Sequence, residues 1–150
     1  SITMINFSIH LITEDDFFEW KNLWRNYLSF YKTSVAKEVY ISTFSRLVNP
    51  DIKNQNGLVA KTDKQLIGLA HYISHPHNWK VEDIVYLQDL YVASNFRRKG
   101  VARKLMSDLF NIADMNETAS VYWLTQDFNL EARKLYDDVG EVTHFIKYNR

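Results

Sequence analysis

Apolar and polar positions change their period several times along this chain, and each change marks an element. Phe7, Ile9 and Leu11 alternate with Ser8 and His10, which predicts a half-buried strand. Thr13 caps the helix that follows, with Asp15 and Asp16 in its first turn and Phe17, Trp20, Leu23, Trp24, Tyr27 and Leu28 at three- and four-residue spacing. A second helix is predicted over about residues 35 to 48, stopping before Pro50. Asn54-Gln55-Asn56-Gly57 reads as a loop. Leu58-Val59-Ala60 and Leu66 to Ile73 flank the polar turn Thr62-Asp63-Lys64-Gln65, a hairpin signal, and Ile84 to Val92 makes the next strand. From about Lys99 to Met115, Val101, Leu105, Met106, Leu109, Ile112 and Ala113 mark a long helix. Ser120 to Leu124 is a short strand, Leu130 to Val139 a helix stopped by Gly140, and Val142 to Tyr148 a closing strand. The order β-α-α-β-β-β-α-β-α-β predicts an α/β (α+β) mixed sheet in which antiparallel hairpins precede crossover helices.

Length and composition narrow the class. At 150 residues the chain suits one well-buried domain covering residues 1–150. Nine Tyr, nine Phe and four Trp against four Gly and two Pro favour a compact core with short turns. The 18 basic and 18 acidic residues cancel, which removes the global field that drives nonspecific binding to nucleic acid or membrane. Neither partner is expected, and an anionic ligand must be held locally. The lack of cysteine excludes disulfides, thiolate catalysis and Cys-based zinc sites, and it fits a reducing cytoplasm. No apolar run reaches the roughly 20 residues that span a bilayer, and the N-terminus has no basic region followed by an apolar core. Ser1 to Thr3 precede Met4, which leaves open whether those three are native.

The candidate chemistry gathers at two junctions. Arg97-Arg98-Lys99-Gly100-Val101-Ala102 lies between the strand ending at Val92 and the long helix. A helix N-terminus offers free N–H groups and partial positive charge, glycine lets the chain approach a ligand, and three cations add to the field, so this turn suits a phosphate or pyrophosphate. Ala102 is small where a bulky side chain would crowd that ligand. About thirty residues on, Asn129-Leu130-Glu131-Ala132-Arg133-Lys134-Leu135-Tyr136 opens the last helix, and its spacing sets Asn129, Ala132 and Tyr136 on one stripe. Taken singly, basic turn residues are usually solvated charge, and a lone tyrosine is usually an ordinary half-buried aromatic.

The two blocks together, in this order and spacing, resemble the GCN5-related N-acetyltransferases (the GNAT family). The run Tyr86-Leu87-Gln88-Asp89-Leu90-Tyr91-Val92 is similar to its polyamine acetyltransferase-like and yeast histone/polyamine acetyltransferase-like small members. The resemblance implies a single GNAT domain that binds acetyl-CoA between splayed central strands and transfers the acetyl group to a primary amine. It implies pantetheine and acetyl contacts from the backbone of Leu90, Tyr91 and Val92, and pyrophosphate binding by Arg97, Arg98, Lys99, Gly100, Val101 and Ala102. It also implies that Asn129 and Ala132 help seat CoA and that the Tyr136 hydroxyl protonates the leaving thiolate. A strand edge can pair with the amides of pantetheine, and a backbone N–H can stabilise an oxyanion.

Only a neutral amine attacks, so a base is expected for ammonium groups with pKa near 10.4. The related polyamine enzymes have glutamate where this chain has Gln88, which leaves Asp89 first, then Glu82, Asp83 or a water-mediated route. Adjacent strand residues face opposite sides, so Asp89 replaces Gln88 only if the strand is locally distorted. Gly140-Glu141 also departs from the aromatic residue that often follows the family's last glycine, a change that touches packing. His71, His75 and His77 fit a strand end running into a polar loop; no metal is expected there, though a histidine can line the acceptor site or act as a base. Trp20, Trp24, Tyr27 and Tyr31 are core by default, in helices that border the acceptor pocket in the family. The acceptor stays open between a small-molecule amine, polyamine or amino-acid-like, and a protein lysine. A non-catalytic CoA-binding module is the alternative, and a P-loop protein is excluded by the missing Gly-x-x-x-x-Gly-Lys-Ser/Thr. Dimerisation through Val142 to Tyr148 is expected because edge strands seek partners.

Overall fold

The computed structural model describes residues 5–150, so the question of Ser1 to Thr3 lies outside the described residues. The elements run β1 (Ser8–Leu11), a 3-10 turn (Glu14–Asp16), α1 (Phe17–Phe30), α2 (Lys37–Val48), β2 (Gln55–Lys61), β3 (Leu66–His75) and β4 (Ile84–Val92). A second 3-10 turn (Ser94–Phe96), α3 (Val101–Met115), β5 (Val121–Trp123) and α4 (Leu130–Val139) follow. The sheet has five strands in the order β1-β2-β3-β4-β5. The first three pairings are antiparallel, and β4 and β5, joined through α3, run parallel. A crossover helix is what a parallel pair requires, because a tight turn cannot bring the chain back in the same direction.

Each face of the sheet carries its own core. On one face Ile67, Ala70, Tyr72, Val85 and Leu87 pack against Val101, Leu105, Met106 and Leu109 of α3, with Leu135, Tyr136 and Val139 of α4 at the margin. Leu105 and Leu109 are fully buried, and each such side chain contributes roughly 1.5–3 kcal/mol relative to exposure. On the other face Trp20, Leu23, Trp24 and Leu28 of α1 meet Tyr40, Phe44 and Leu47 of α2 over Val59, Leu66 and Leu69. The aromatic stripe of α1 stacks as a column, with the Trp20 and Trp24 ring centres 5.2 Å apart.

The entry to α1 is built from Asp16. Its carboxylate accepts the Thr13 N–H at 2.9 Å and the Thr13 hydroxyl at 3.3 Å, and its own N–H donates back to the Thr13 carbonyl at 3.0 Å. Its other oxygen meets Lys61 Nζ at 2.8 Å, which ties the start of α1 to the end of β2. Burial alone would push the Asp16 carboxyl up; the Lys61 hydrogen bond and charge and the Thr13 N–H outweigh it and hold the group below its ordinary 3.8.

Two sequence expectations are corrected. Gln55, Asn56 and Gly57 belong to β2 and not to a loop: Gln55 to Gly57 pair with Ile73 to His71, and the Gly57 carbonyl accepts the Ile12 N–H. Their polar composition reads as a turn, but the neighbouring strand satisfies their backbone. Val142 to Tyr148 form no strand among the described residues, and the β order therefore ends with α4. The alternation there suits a strand, yet a strand exists only with a paired edge; Val142, Phe145, Ile146 and Tyr148 are 72%, 91%, 75% and 86% exposed.

Gly140 ends α4 for a different reason from the left-handed cap its position suggests. Its backbone is extended, and a Cβ built on it would lie 2.7 Å from Trp123 Cη2. Glycine is there so that α4 can close on the Trp123 indole. Gly140→Ala is expected to destabilise the fold by about 1–3 kcal/mol, read as a lower denaturant midpoint without a change of slope. Lys61→Met should cost about 2 kcal/mol at pH 7 by leaving the Asp16 carboxylate buried without its cation. A carboxyl lowered by folding contributes stability above its unfolded value and loses it as pH falls through the folded value. The stability gap between this variant and the parent should therefore hold at neutral pH and narrow below about 3.8, the ordinary carboxyl value, in melts run across that range.

Candidate active site

One register shift organises the middle of the sheet. Tyr72 pairs with Leu87 but His71 pairs with Asp89, so Gln88 is an extra residue on β4 with no partner on β3. A β-bulge of this kind changes which face the following side chains take. Val85 and Leu87 point to the α3 face, and beyond the bulge so do Leu90 and Val92. Asp89 and Tyr91 are thereby turned toward α1, while Gln88 itself is exposed. The distortion that Asp89 needs to leave the α3 face is present in the backbone.

The same position ends the pairing with β5. Val85, Tyr86 and Leu87 match Val121, Tyr122 and Trp123, and the ladder stops there. From Asp89 to Val92, β4 is bonded to β3 on one side and has no strand on the other among the described residues. That unpaired edge carries Leu90, Tyr91 and Val92.

Around Asp89 the polar groups form a closed chain. The Trp20 indole N–H donates to His71 Nε2 at 2.8 Å, His71 Nδ1 lies 2.8 Å from Asp89 Oδ2, and the Trp24 indole N–H donates to the same oxygen at 3.2 Å. All four residues are buried. An indole N–H can only donate, so His71 Nε2 is the acceptor and Nδ1 carries the proton toward Asp89. Tyr27 of α1 and Tyr31, the residue that ends this helix, both feel this carboxylate. Burial first, and the Asp89 charge second, push both hydroxyls above their ordinary value.

Tyr136 approaches from the opposite element. Half-buried on α4, it packs edge-on against Trp123 with ring centres 5.7 Å apart. Burial, with a smaller contribution from Tyr31, pushes its hydroxyl up to about 12, so it stays protonated and able to donate at neutral pH. Trp123, on which Tyr136 packs, pairs with Leu87 in the last rung of the β4–β5 ladder, so this ring stands beside the point where the free edge of β4 begins.

The basic turn sits next to both. Gly100 precedes α3 with φ +82°, a left-handed conformation that suits glycine, and no atom lies within 4 Å of a Cβ built there. The N–H groups of the first turn of α3 have no helical acceptor by geometry. Arg98 bonds Glu131 at 3.1 Å and Arg103 bonds Asp138 at 2.8 Å, linking the loop and α3 to α4. Asn129 caps α4 by accepting the Ala132 N–H at 3.4 Å, so these two act first on each other. Arg97 points elsewhere: its Nε donates to the Val92 carbonyl at 3.1 Å, and its guanidinium lies over the rings of Tyr91 and Phe30 at 5.5 and 5.7 Å.

The remaining expectations separate. Glu82 and Asp83 lie in the exposed loop ahead of β4, at the strand's other end from Asp89. His71 is not at a strand end but inside β3, while His75, at the end of that strand, bonds the Tyr122 hydroxyl at 2.8 Å and His77 sits in the loop beyond. The part of the site that the residue pattern did not reveal is the Trp20-His71-Asp89-Trp24 chain. Its only sequence signal is a histidine inside an apolar strand, with two tryptophans one helical turn apart upstream.

The chain matches the acetyltransferase (GNAT) family over residues 16–140. It is 40% identical over 132 residues to the D-amino-acid N-acetyltransferase HPA3 of Saccharomyces cerevisiae, covering 87% of this chain and 82% of that protein. It is 28% identical to the thialysine N-epsilon-acetyltransferase of Caenorhabditis elegans over 93% of this chain and 85% of that one. Among solved structures, the aminoglycoside acetyltransferase AAC(6')-Iy with a bisubstrate analogue superposes with a TM-score of 0.84 at 16% identity, over 97% of each chain. The ribosomal-protein-alanine N-acetyltransferase of Brucella melitensis does so at 0.79 and 19%, over 97% of this chain and 98% of that one, so both share the fold. With the bulged β4, the glycine turn before α3 and Tyr136 on α4 arranged around one unpaired strand edge, the chain belongs to the GNAT family and is an N-acetyltransferase.

Proposed function

We propose that the protein transfers the acetyl group of acetyl-CoA to the primary amine of a small amino-acid-like molecule, with Asp89 as base and Tyr136 as acid. The observation that carries this reading is the placement of a buried carboxylate and a proton-donating phenol on two sides of a strand edge with no partner among the described residues. The groups present fit acetyl-CoA. The pantetheine amides can pair with the free edge of β4 at Leu90, Tyr91 and Val92, as an added strand would. The pyrophosphate belongs over Gly100, Val101 and Ala102, where the left-handed glycine leaves open space before a helix N-terminus, with Arg98 and Lys99 supplying charge. Asn129 and Ala132 hold the start of α4 in register with that turn.

Acetyl-CoA supplies the activated thioester when bound; the chain's own groups manage the protons. Asp89 takes one proton from the acceptor ammonium, and the neutral nitrogen then adds to the acetyl carbon, where a backbone N–H at the β4 edge stabilises the oxyanion. As the C–S bond breaks, the Tyr136 hydroxyl gives its proton to the departing sulfur and its oxygen recovers one from the nitrogen, which leaves the neutral amide; Asp89 returns its proton to solvent. Gln88, exposed and unable to accept the proton, has no part in this step. The acceptor class is supported by the relatives, which are named for D-amino acids and thialysine. Arg97, held over Tyr91 and Phe30 on the α1 side and not over the glycine turn, adds a cation there for an acceptor carboxylate. A cysteine-free chain using this substrate suits the cytoplasm.

Free thiol release from acetyl-CoA, measured with D- and L-amino acids, thialysine, polyamines and a lysine peptide, tests the reading. Amine-dependent turnover should be highest with the amino-acid-like acceptors. Tyr136→Phe should lower kcat about 100-fold and leave CoA affinity by calorimetry unchanged. CoA binding without turnover on any amine would overturn the assignment.

The exposed apolar residues of 142–148 support a homodimer in which this segment pairs with a second copy, because an isolated edge and an unpaired apolar segment each bury surface only on a partner. Light scattering should give twice the chain mass, and deletion of residues 142–150 should give a monomer. A full-length chain that stays monomeric at tens of micromolar would remove the dimer.

A further inference from the structure

We propose that His71 is a positioning residue for acetyl transfer: its neutral imidazole, fixed as the Nδ1–H tautomer by Trp20, holds Asp89 so that Oδ2 is saturated and Oδ1 meets the acceptor amine. The inference rests on the assignment of Asp89 as base made above. Trp20 is fully buried, and its N–H has His71 Nε2 at 2.8 Å as its acceptor. An imidazolium, or the other tautomer, would set two N–H groups against each other at that distance in a dry core, which costs the desolvation of both. Both ring nitrogens of His71 are therefore committed, one to receive and one to donate, and the imidazole does not serve as the base itself.

What the imidazole does is orient its neighbour. Asp89 Oδ2 receives the His71 N–H at 2.8 Å and the Trp24 N–H at 3.2 Å, while Oδ1 takes part in neither bond. Trp20 and Trp24 sit one turn apart on α1, His71 on β3 and Asp89 on β4 beyond the bulge, so the carboxylate is anchored to two elements besides its own strand. The register that pairs His71 with Asp89 exists only because Gln88 is bulged out. A base held this way presents one oxygen at a fixed place, and a displacement on the order of 1 Å at a reacting group costs on the order of 100-fold in rate.

Steady-state kinetics of His71→Leu, His71→Asn, Asp89→Asn and the His71→Leu/Asp89→Asn double variant test this. The asparagine amide can place an N–H close to where Nδ1–H stands, and leucine cannot. His71→Leu should lower kcat about 100-fold with the KM for acetyl-CoA unchanged, and His71→Asn should recover about tenfold of that loss. In the Asp89→Asn background, His71→Leu should cost nothing further, because a residue acting only through Asp89 has nothing left to position. A His71→Leu kcat within about threefold of the parent, or losses that multiply in the double variant, would overturn the positioning role while leaving the base intact. A fully active Asp89→Asn would overturn the base assignment and this inference with it. Should His71→Leu not fold, Trp24→Phe keeps an aromatic ring in place and deletes only its N–H; it should lower kcat about tenfold, and an unchanged kcat would overturn the proposal.

Discussion

The extra residue at Gln88 sets the geometry on which the site depends. Before it, the odd-numbered side chains of β4 fill the α3 core; after it, Leu90 and Val92 do, and Asp89 and Tyr91 are released to the α1 face. A strand side chain has only two directions, so a one-residue slip is the smallest change that can move a carboxylate from one face to the other. The same kink coincides with the end of the ladder to β5. One irregularity thus aims the carboxylate and opens the backbone edge beside it, and neither would be placed by a regular strand.

The rest of the fold serves that kink by making its surroundings rigid. The aromatic column of α1 is wedged between α2 and β3, and two of its members give their only polar atoms to His71 and Asp89. Burial of the rings holds the hydrogen bonds, and the bonds satisfy N–H groups that would otherwise be desolvated without a partner. On the opposite face, Gly140 allows α4 to close on Trp123, and Trp123 in turn carries the ring of Tyr136. The exposed ion pairs Arg98–Glu131 and Arg103–Asp138 each contribute little, yet they join the glycine turn to α4.

A chain of zero net charge offers an anionic ligand no overall field. In the binding proposed above, the attraction comes from helix-terminal N–H groups, a left-handed glycine and a few cations at one turn, none of which depends on overall charge. Proton chemistry is divided in the same local way. Burial keeps the Tyr136 hydroxyl protonated, whereas the Asp89 carboxylate is fixed in place by the N–H groups of His71 and Trp24.

Much of this was legible in the residue pattern because it is local. The helical stripes of α1 and α3, the hairpin of β2 and β3, the glycine turn and the Asn129, Ala132, Tyr136 stripe depend on spacing within one element, and those elements stand close to where the spacing sets them. What spacing cannot specify is a partner. A hairpin continued at constant register from Tyr72 and Leu87 would set His71 opposite Gln88; only the folded sheet, with its bulge, delivers Asp89 instead. Val142 to Tyr148 have the alternation of a strand and pair with no strand among the described residues, and Arg97 lies in the basic turn by sequence but over Tyr91 and Phe30 in space. The sequence by itself determined the elements and the residue types at the two junctions, since periodicity and backbone preference act over a few residues. The tertiary structure decided which side chains face each other, since register, bulges and burial are settled between elements that the chain brings together only on folding.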